Sequence, residues 1–268
     1  MLGLVQILKF LIIFIYGSTI GSLSNMLIDR FVERITLEEE ALEKGTEAEK
    51  IKKKHLYFKN FTYSCGCIRK GVALIPVMGY FLLKGKCSEC GKKINIRYLV
   101  VELITGLTFV VNVLVNGFNF VSFFNCLVIA GLIILTVVDF IKYEIPVEIN
   151  YFILIVGVIV SIYDYGNLSE HIIGMFAISL FTYGLMYFGA MGGGDVKLMF
   201  TCGLLLGWKV IIVSFIIGCI LGSIIHSIRM TIEKEKSMLA FGPYLSMGVF
   251  VGMLYGPTII EWYMGYFK

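Results

Sequence analysis

The sequence predicts an all-α integral membrane protein of about eight transmembrane helices, with a cytoplasmic, zinc-ribbon-like cysteine domain between the first and second spans. Three observations carry this. Of 268 residues, 58% are hydrophobic, and the mean hydropathy is +0.86. Charged residues make up only 16% of the chain, against roughly 25% in soluble domains. Apolar runs recur near the length of about 20 residues that a bilayer core requires, and fifteen of the 23 Lys and Arg fall between Arg30 and Arg97.

The spans are expected at 4–28, 99–116, 120–139, 146–163, 169–190, 197–208, 210–229 and 239–262. The first apolar stretch lacks a small-residue cleavage site and runs on into Gly21-Ser22-Leu23-Ser24-Asn25, so it reads as a retained span. The chain then divides into a first transmembrane helix at 1–29, a cytoplasmic domain at 30–97 and a polytopic domain at 98–268. Within 30–97, a charged helical insert occupies 33–60 and a cysteine cluster occupies 63–97. The sixth span is short, bounded by Lys197 and Trp208-Lys209, and reads as tilted, thinned or re-entrant.

Charge sets the expected orientation. With an outer N-terminus, eight crossings place Lys142, Lys197, Arg229, Lys234 and Lys236 on the cytoplasmic side, and leave only Lys9, Lys209 and Lys268 outside. This satisfies the positive-inside rule. A nucleic-acid partner is not expected, because acidic residues are interspersed with the basic ones. The run Lys50 to Lys54 reads as solvated or facing lipid headgroups.

Two aspartates stand at the ends of apolar runs. Asp139 closes Thr136-Val137-Val138-Asp139-Phe140, and Asp195 follows Gly192-Gly193-Gly194 and precedes Val196-Lys197. A carboxylate at bilayer depth costs about 2.5–3.5 kcal/mol on insertion scales, so it marks function by default. Both aspartates fall on the same predicted face, which suggests a paired-carboxylate site. Glu102, one turn into the second span, is expected to pair with Arg97 or to line the site. Glu144 and Glu148, flanking Pro146, are expected to be solvated.

The cysteines form two groups. Cys126, Cys202 and Cys219 lie singly in apolar spans and read as small buried side chains. Cys65-Gly66-Cys67 and Cys87-Ser88-Glu89-Cys90 make a four-thiolate pattern suited to a structural Zn²⁺, with vestigial or redox cysteines as the alternative.

Together these motifs resemble the type IV prepilin peptidases, the leader peptidase/N-methyltransferases of pilus and type II secretion systems. Gly21-Ser22-Leu23-Ser24-Asn25 with Arg30 looks like the family's first-span motif. Val138-Asp139 with Ile145-Pro146 looks like the first catalytic-aspartate motif, and Gly192-x-Gly194-Asp195-x-Lys197 like the G-x-G-D signature. The four cysteines look like its cytoplasmic cluster, and Phe241-Gly242-Pro243-Tyr244 like its last-span motif.

The resemblance implies a bacterial inner-membrane aspartic endopeptidase with Asp139 and Asp195 as catalytic residues, supported by Gly192, Gly194 and Lys197. It implies type IV prepilins or pseudopilins as substrates within membrane lipid, and S-adenosylmethionine as methyl donor for the new N-terminus. A peptidase without methyltransfer is the alternative within that reading. From the residues alone, a cation or proton transporter using Asp139 and Asp195 is a further one.

Overall fold

The computed structural model describes residues 2–44, 63, 65–233 and 240–266. Residues 45–60 of the expected charged insert, and Lys234 and Lys236, lie outside the described residues. The chain forms helices throughout, with no strand among the described residues beyond a single bridge between Lys86 and Lys93. In order these are α1 (Leu2–Glu43), α2 (Met78–Leu82), α3 (Arg97–Asn116), α4 (Phe120–Lys142), α5 (Val147–Tyr163), α6 (Leu168–Ala177), α7 (Ser179–Tyr187), α8 (Gly193–Leu206), α9 (Trp208–Glu233) and α10 (Gly242–Gly265). The chain separates into two compact units, Met1–Leu114 and Val115–Lys268.

Six segments are long and apolar enough to cross a membrane: α1, α3, α4, the α6–α7 pair, α9 and α10. The protein is a multi-pass membrane protein. α5 and α8 stand where the fourth and sixth spans are expected, but have only 17 and 14 residues. A perpendicular crossing takes about 20.

Two helices differ from the expected spans. α1 continues to Glu43 instead of ending near residue 28. No Pro or Gly interrupts residues 26–43, and the polar turns carry Arg34–Glu38, an i,i+4 pair at 3.7 Å. The expected fifth span, 169–190, is broken at Ile178. Here Ser179 Oγ donates to Met175 O at 2.5 Å, and Thr182 Oγ1 donates to the carbonyls of Ile178 and Ser179. Such back-bonding competes with the helix ladder and bends it.

In the first unit, α1 and α3 pack antiparallel along a stripe of small and polar residues. Gly17 abuts Gly106, Gly21 abuts Glu102, and Asn25 Nδ2 donates to Tyr98 O at 2.9 Å. The four-residue step on each helix keeps one face in contact, as expected when small side chains let backbones approach in a membrane. In the second unit, Gly248, Gly252 and Gly256 of α10 bring that helix against Val210, Ser214 and Gly218 of α9. α5 and α8 run side by side, joined by Ser161 Oγ donating to Leu204 O at 3.1 Å. The contacts within the second unit form the frame in which both aspartates are held.

Candidate active site and cysteine centre

Asp139 lies in the last turn of α4. The apolar run before it keeps the helix regular, and the turn ends where Tyr143 adopts a left-handed conformation (φ 54°, ψ 30°), its N–H donating to Asp139 O at 2.8 Å. Pro146 then fixes the entry to α5. The four-residue break thus returns the chain sharply, with Ile145 buried.

Asp195 lies in the first turn of α8. Gly192 is the N-cap in extended backbone (φ −76°, ψ 148°), and its carbonyl accepts the Asp195 N–H at 3.2 Å. Asp195 Oδ2 lies beside Gly192, and Asp195 Oδ1 is buried and unbonded. Gly194 is a steric necessity, since a Cβ there would lie 2.8 Å from Ile145 Cβ. The close approach of the Gly-rich turn to Ile145 brings the two aspartate-bearing turns together.

Asp139 and Asp195 are 4% and 7% exposed and line one cavity of about 340 Å³. The cavity is also lined by Tyr143, Glu144, Ile145, Val147, Gly192, Gly193, Gly194 and Lys197. Asp139 Oδ2 accepts the backbone N–H of Gly242 at 3.0 Å. Two carboxyl groups in one desolvated cavity can divide a single proton between them, one acting as base and the other as acid.

The cysteine centre lies in the first unit. Sγ atoms of Cys65, Cys67, Cys87 and Cys90 all lie within 4.8 Å of one another, so the set can hold a metal ion. The two-residue spacing of the first pair is met by Gly66 at φ +82°, whose N–H donates to Tyr63 O at 2.8 Å. The second pair closes through Gly91 at φ +70°, with Gly91 N–H to Cys87 O at 2.9 Å and Cys87 N–H to Lys92 O at 2.8 Å. Backbone N–H groups of Cys90 and Glu89 pull the Cys87 thiol down to about 7. Hydrogen bonds with the sulfurs of Cys90 and Cys65 push Cys67 up to about 12. A divalent cation among the four sulfurs favours their thiolate forms, which suits this donor set.

The cysteine turns are anchored by a buried network. The Arg69 guanidinium lies over the rings of Tyr63 and Tyr98, which pack edge to face, at 4.5 and 4.6 Å from their centroids. Its Nη1 donates to Ser22 Oγ at 3.0 Å and pairs with Glu102 Oε1 at 3.5 Å. Glu102 Oε2 accepts the N–H of Val77 at 2.7 Å, and Val77 holds φ 61°. The expected pairing of Glu102 with Arg97 is therefore incorrect: Arg97 pairs with Asp29 instead. Arg97 opens α3, whereas Glu102 faces the turn of the cysteine segment.

Residues 126–227 match the type IV leader peptidase family, and residues 15–116 match the bacterial peptidase A24 N-terminal domain. The chain belongs to the type IV leader peptidase family. A prepilin leader peptidase/N-methyltransferase of Legionella pneumophila is 29% identical over 275 residues, covering 96% of this chain and 95% of its own length. One of Bacillus subtilis is 28% identical, covering 71% of this chain and 79% of its own. One of Neisseria gonorrhoeae is 31% identical, covering 65% and 63%. No solved structure matches the chain.

For this family member, the cavity gathers Asp139, Asp195, Gly192, Gly194 and Lys197, and separately the four cysteines cluster. Tyr143, Glu144 and Val147 also line the cavity; Glu144 was expected only to be solvated, and Tyr143 and Val147 were not marked by their sequence pattern. Their proximity to Ile145-Pro146 was the available signal. Asn150, buried on α5 with both amide atoms unbonded, was likewise unmarked.

Proposed function

We propose that this chain is a membrane aspartic endopeptidase that removes the leader peptide of type IV prepilins or pilin-like proteins and then N-methylates the new N-terminus. The observation that carries it is the burial of Asp139 and Asp195 on one cavity. Asp139 and Asp195 are the catalytic pair. The ionised carboxyl takes a proton from water as it attacks the scissile carbonyl, and the protonated one donates to the carbonyl oxygen or the leaving amine. The titration belongs to the pair, so base and acid are not divided between them. Gly192 leaves room for substrate backbone beside the carboxylates, Gly194 admits Ile145 and so keeps the two aspartate-bearing turns together, and Lys197 sets the local field.

Cys65, Cys67, Cys87 and Cys90 hold a structural Zn²⁺, which ties the segment 63–97 together where its own core is small. The first helix (1–29), the cysteine-bearing segment (30–97) and the polytopic part (98–268) serve as anchor, cytoplasmic domain and peptidase. S-adenosylmethionine supplies the methyl group; this step follows the relatives' names, and no residue is assigned to it. The excess of Lys and Arg on one side supports a cytoplasmic active site in a bacterial inner membrane, with lipid around the helices and no nucleic acid as partner.

Incubating the purified chain with a prepilin and labelled S-adenosylmethionine tests this. Leader loss with label transfer is the expected result. Leader loss alone makes the chain a peptidase only, and neither overturns the proposal.

A further inference from the structure

The helices that follow the two aspartate-bearing turns run in the same direction. At the start of α8, a Cβ on Gly194 would lie 2.8 Å from Ile145 Cβ, just before α5. Further along, a Cβ on Gly157 would lie 3.5 Å from both Thr201 O and Leu205 N, and Ser161 Oγ donates to Leu204 O at 3.1 Å. The contacts advance together along both helices, so α5 and α8 are parallel. Asn150 stands between the first two contacts and is therefore level with residues 194–201 of α8.

Asn150 also faces α8. Asn150, Ile153, Gly157 and Ser161 are all buried, and steps of three or four residues keep them on one side of a helix. Gly157 and Ser161 make the contacts with α8 just described. Ile149, the preceding residue, packs against α4, where a Cβ on Gly131 would lie 3.7 Å from Ile149 Cγ2.

The amide is 3% exposed, and neither its Nδ2 nor its Oδ1 has a hydrogen-bond partner. Two unpaired polar atoms inside a helix interface are less favourable than an apolar side chain of similar size. On the facing stretch of α8 the buried polar side chains are Asp195 and Thr201. Thr201 Oγ1 donates to Leu198 O at 3.0 Å, whereas Asp195 Oδ1 is unbonded. An unpaired amide and an unpaired carboxylate oxygen thus share one level of one interface.

We propose that Asn150 is a positioning residue for Asp195, its amide linked to Asp195 Oδ1 through one buried water. The two side chains do not bond directly, and a buried water takes roughly two to four polar partners. Asn150 Nδ2, Asn150 Oδ1 and Asp195 Oδ1 supply such a set. Held at Oδ1 from α5, the carboxyl group keeps its orientation toward the cavity it shares with Asp139. This inference rests on the peptidase reading above.

The test compares Asn150→Val with Asn150→Thr in the full chain in detergent, cleaving a prepilin. Val and Thr have nearly the same shape, and only Thr can donate and accept a hydrogen bond. Asn150→Val should lower kcat by about tenfold, the scale of one hydrogen bond to a charged group, with KM and Tm unchanged. Asn150→Thr should recover most of that loss. Wild-type kcat in both variants overturns this inference alone, while the wild-type chain cleaves. An equal fall of kcat in both, or a failure of both to fold, makes Asn150 a packing residue and also overturns it. A wild-type chain that does not cleave overturns the peptidase reading and this inference with it.

Discussion

Gly242 donates its backbone N–H to Asp139 Oδ2 at 3.0 Å. The start of α10 therefore orients a carboxylate 103 positions earlier in the chain, which gives the Phe241-Gly242-Pro243-Tyr244 motif a physical role. Pro243 cannot donate, so the first turn of α10 has one fewer free N–H. The N–H of Gly242 is directed at the aspartate.

Gly242→Ala should disable cleavage without unfolding the chain. A Cβ at this position would lie 2.7 Å from Asp139 Oδ2 and 3.2 Å from both Ile145 Cδ1 and Leu135 Cδ2. Displacing the carboxylate by about 1 Å is expected to lower kcat by about 10²-fold. Steady-state cleavage of a prepilin, alongside a thermal melt in detergent, checks this. Near-normal turnover would show that the Gly242 contact does not position the site.

Much of this arrangement was legible in the sequence, because each part had a local cause. Asp139 and Asp195 were conspicuous because carboxylates ending apolar runs need a reason, and the cysteines because their spacing suits a tetrahedral donor set. What escaped was set by tertiary packing. Arg69 is a buried cation in a segment without periodicity, and only the structure shows it against the rings of Tyr63 and Tyr98. The break at Ile178 comes from serine and threonine back-bonding, which composition does not announce. Hydropathy marks where α1 leaves the apolar region, whereas its helix continues through polar turns.

Glu102→Ala should destabilise the first unit. It leaves the Arg69 guanidinium buried without its carboxylate and removes the acceptor of the Val77 N–H. Breaking a buried pair in this way costs about 3–5 kcal/mol. Thermal denaturation in detergent should show a clear fall in Tm, and an unchanged Tm would mean that the pair is not structural.

The metal prediction is one zinc per chain in protein purified without chelator, held by Cys65, Cys67, Cys87 and Cys90. Cys87→Ser or Cys90→Ser should lower that content and impair methylation more than leader removal, because the aspartates lie in a different compact unit. Elemental analysis decides. Zinc well below one per chain, unchanged by either variant, would rule out the site.

Orientation is testable at the exposed positions 144 and 193. In a background lacking the native cysteines, single cysteines there should resist an impermeant reagent added to intact cells, and react once the cytoplasmic face is opened. Labelling from outside would overturn the topology.

The central claim is that Asp139 and Asp195 act as one catalytic pair. The most direct measurement is single-turnover leader removal by Asp139→Asn and by Asp195→Asn, each first shown to be folded and inserted. Asn keeps the volume and removes the charge and the titratable proton, and one carboxyl cannot serve as base and acid together. Both variants should fail to cleave. Cleavage by either at near the wild-type rate would contradict the account.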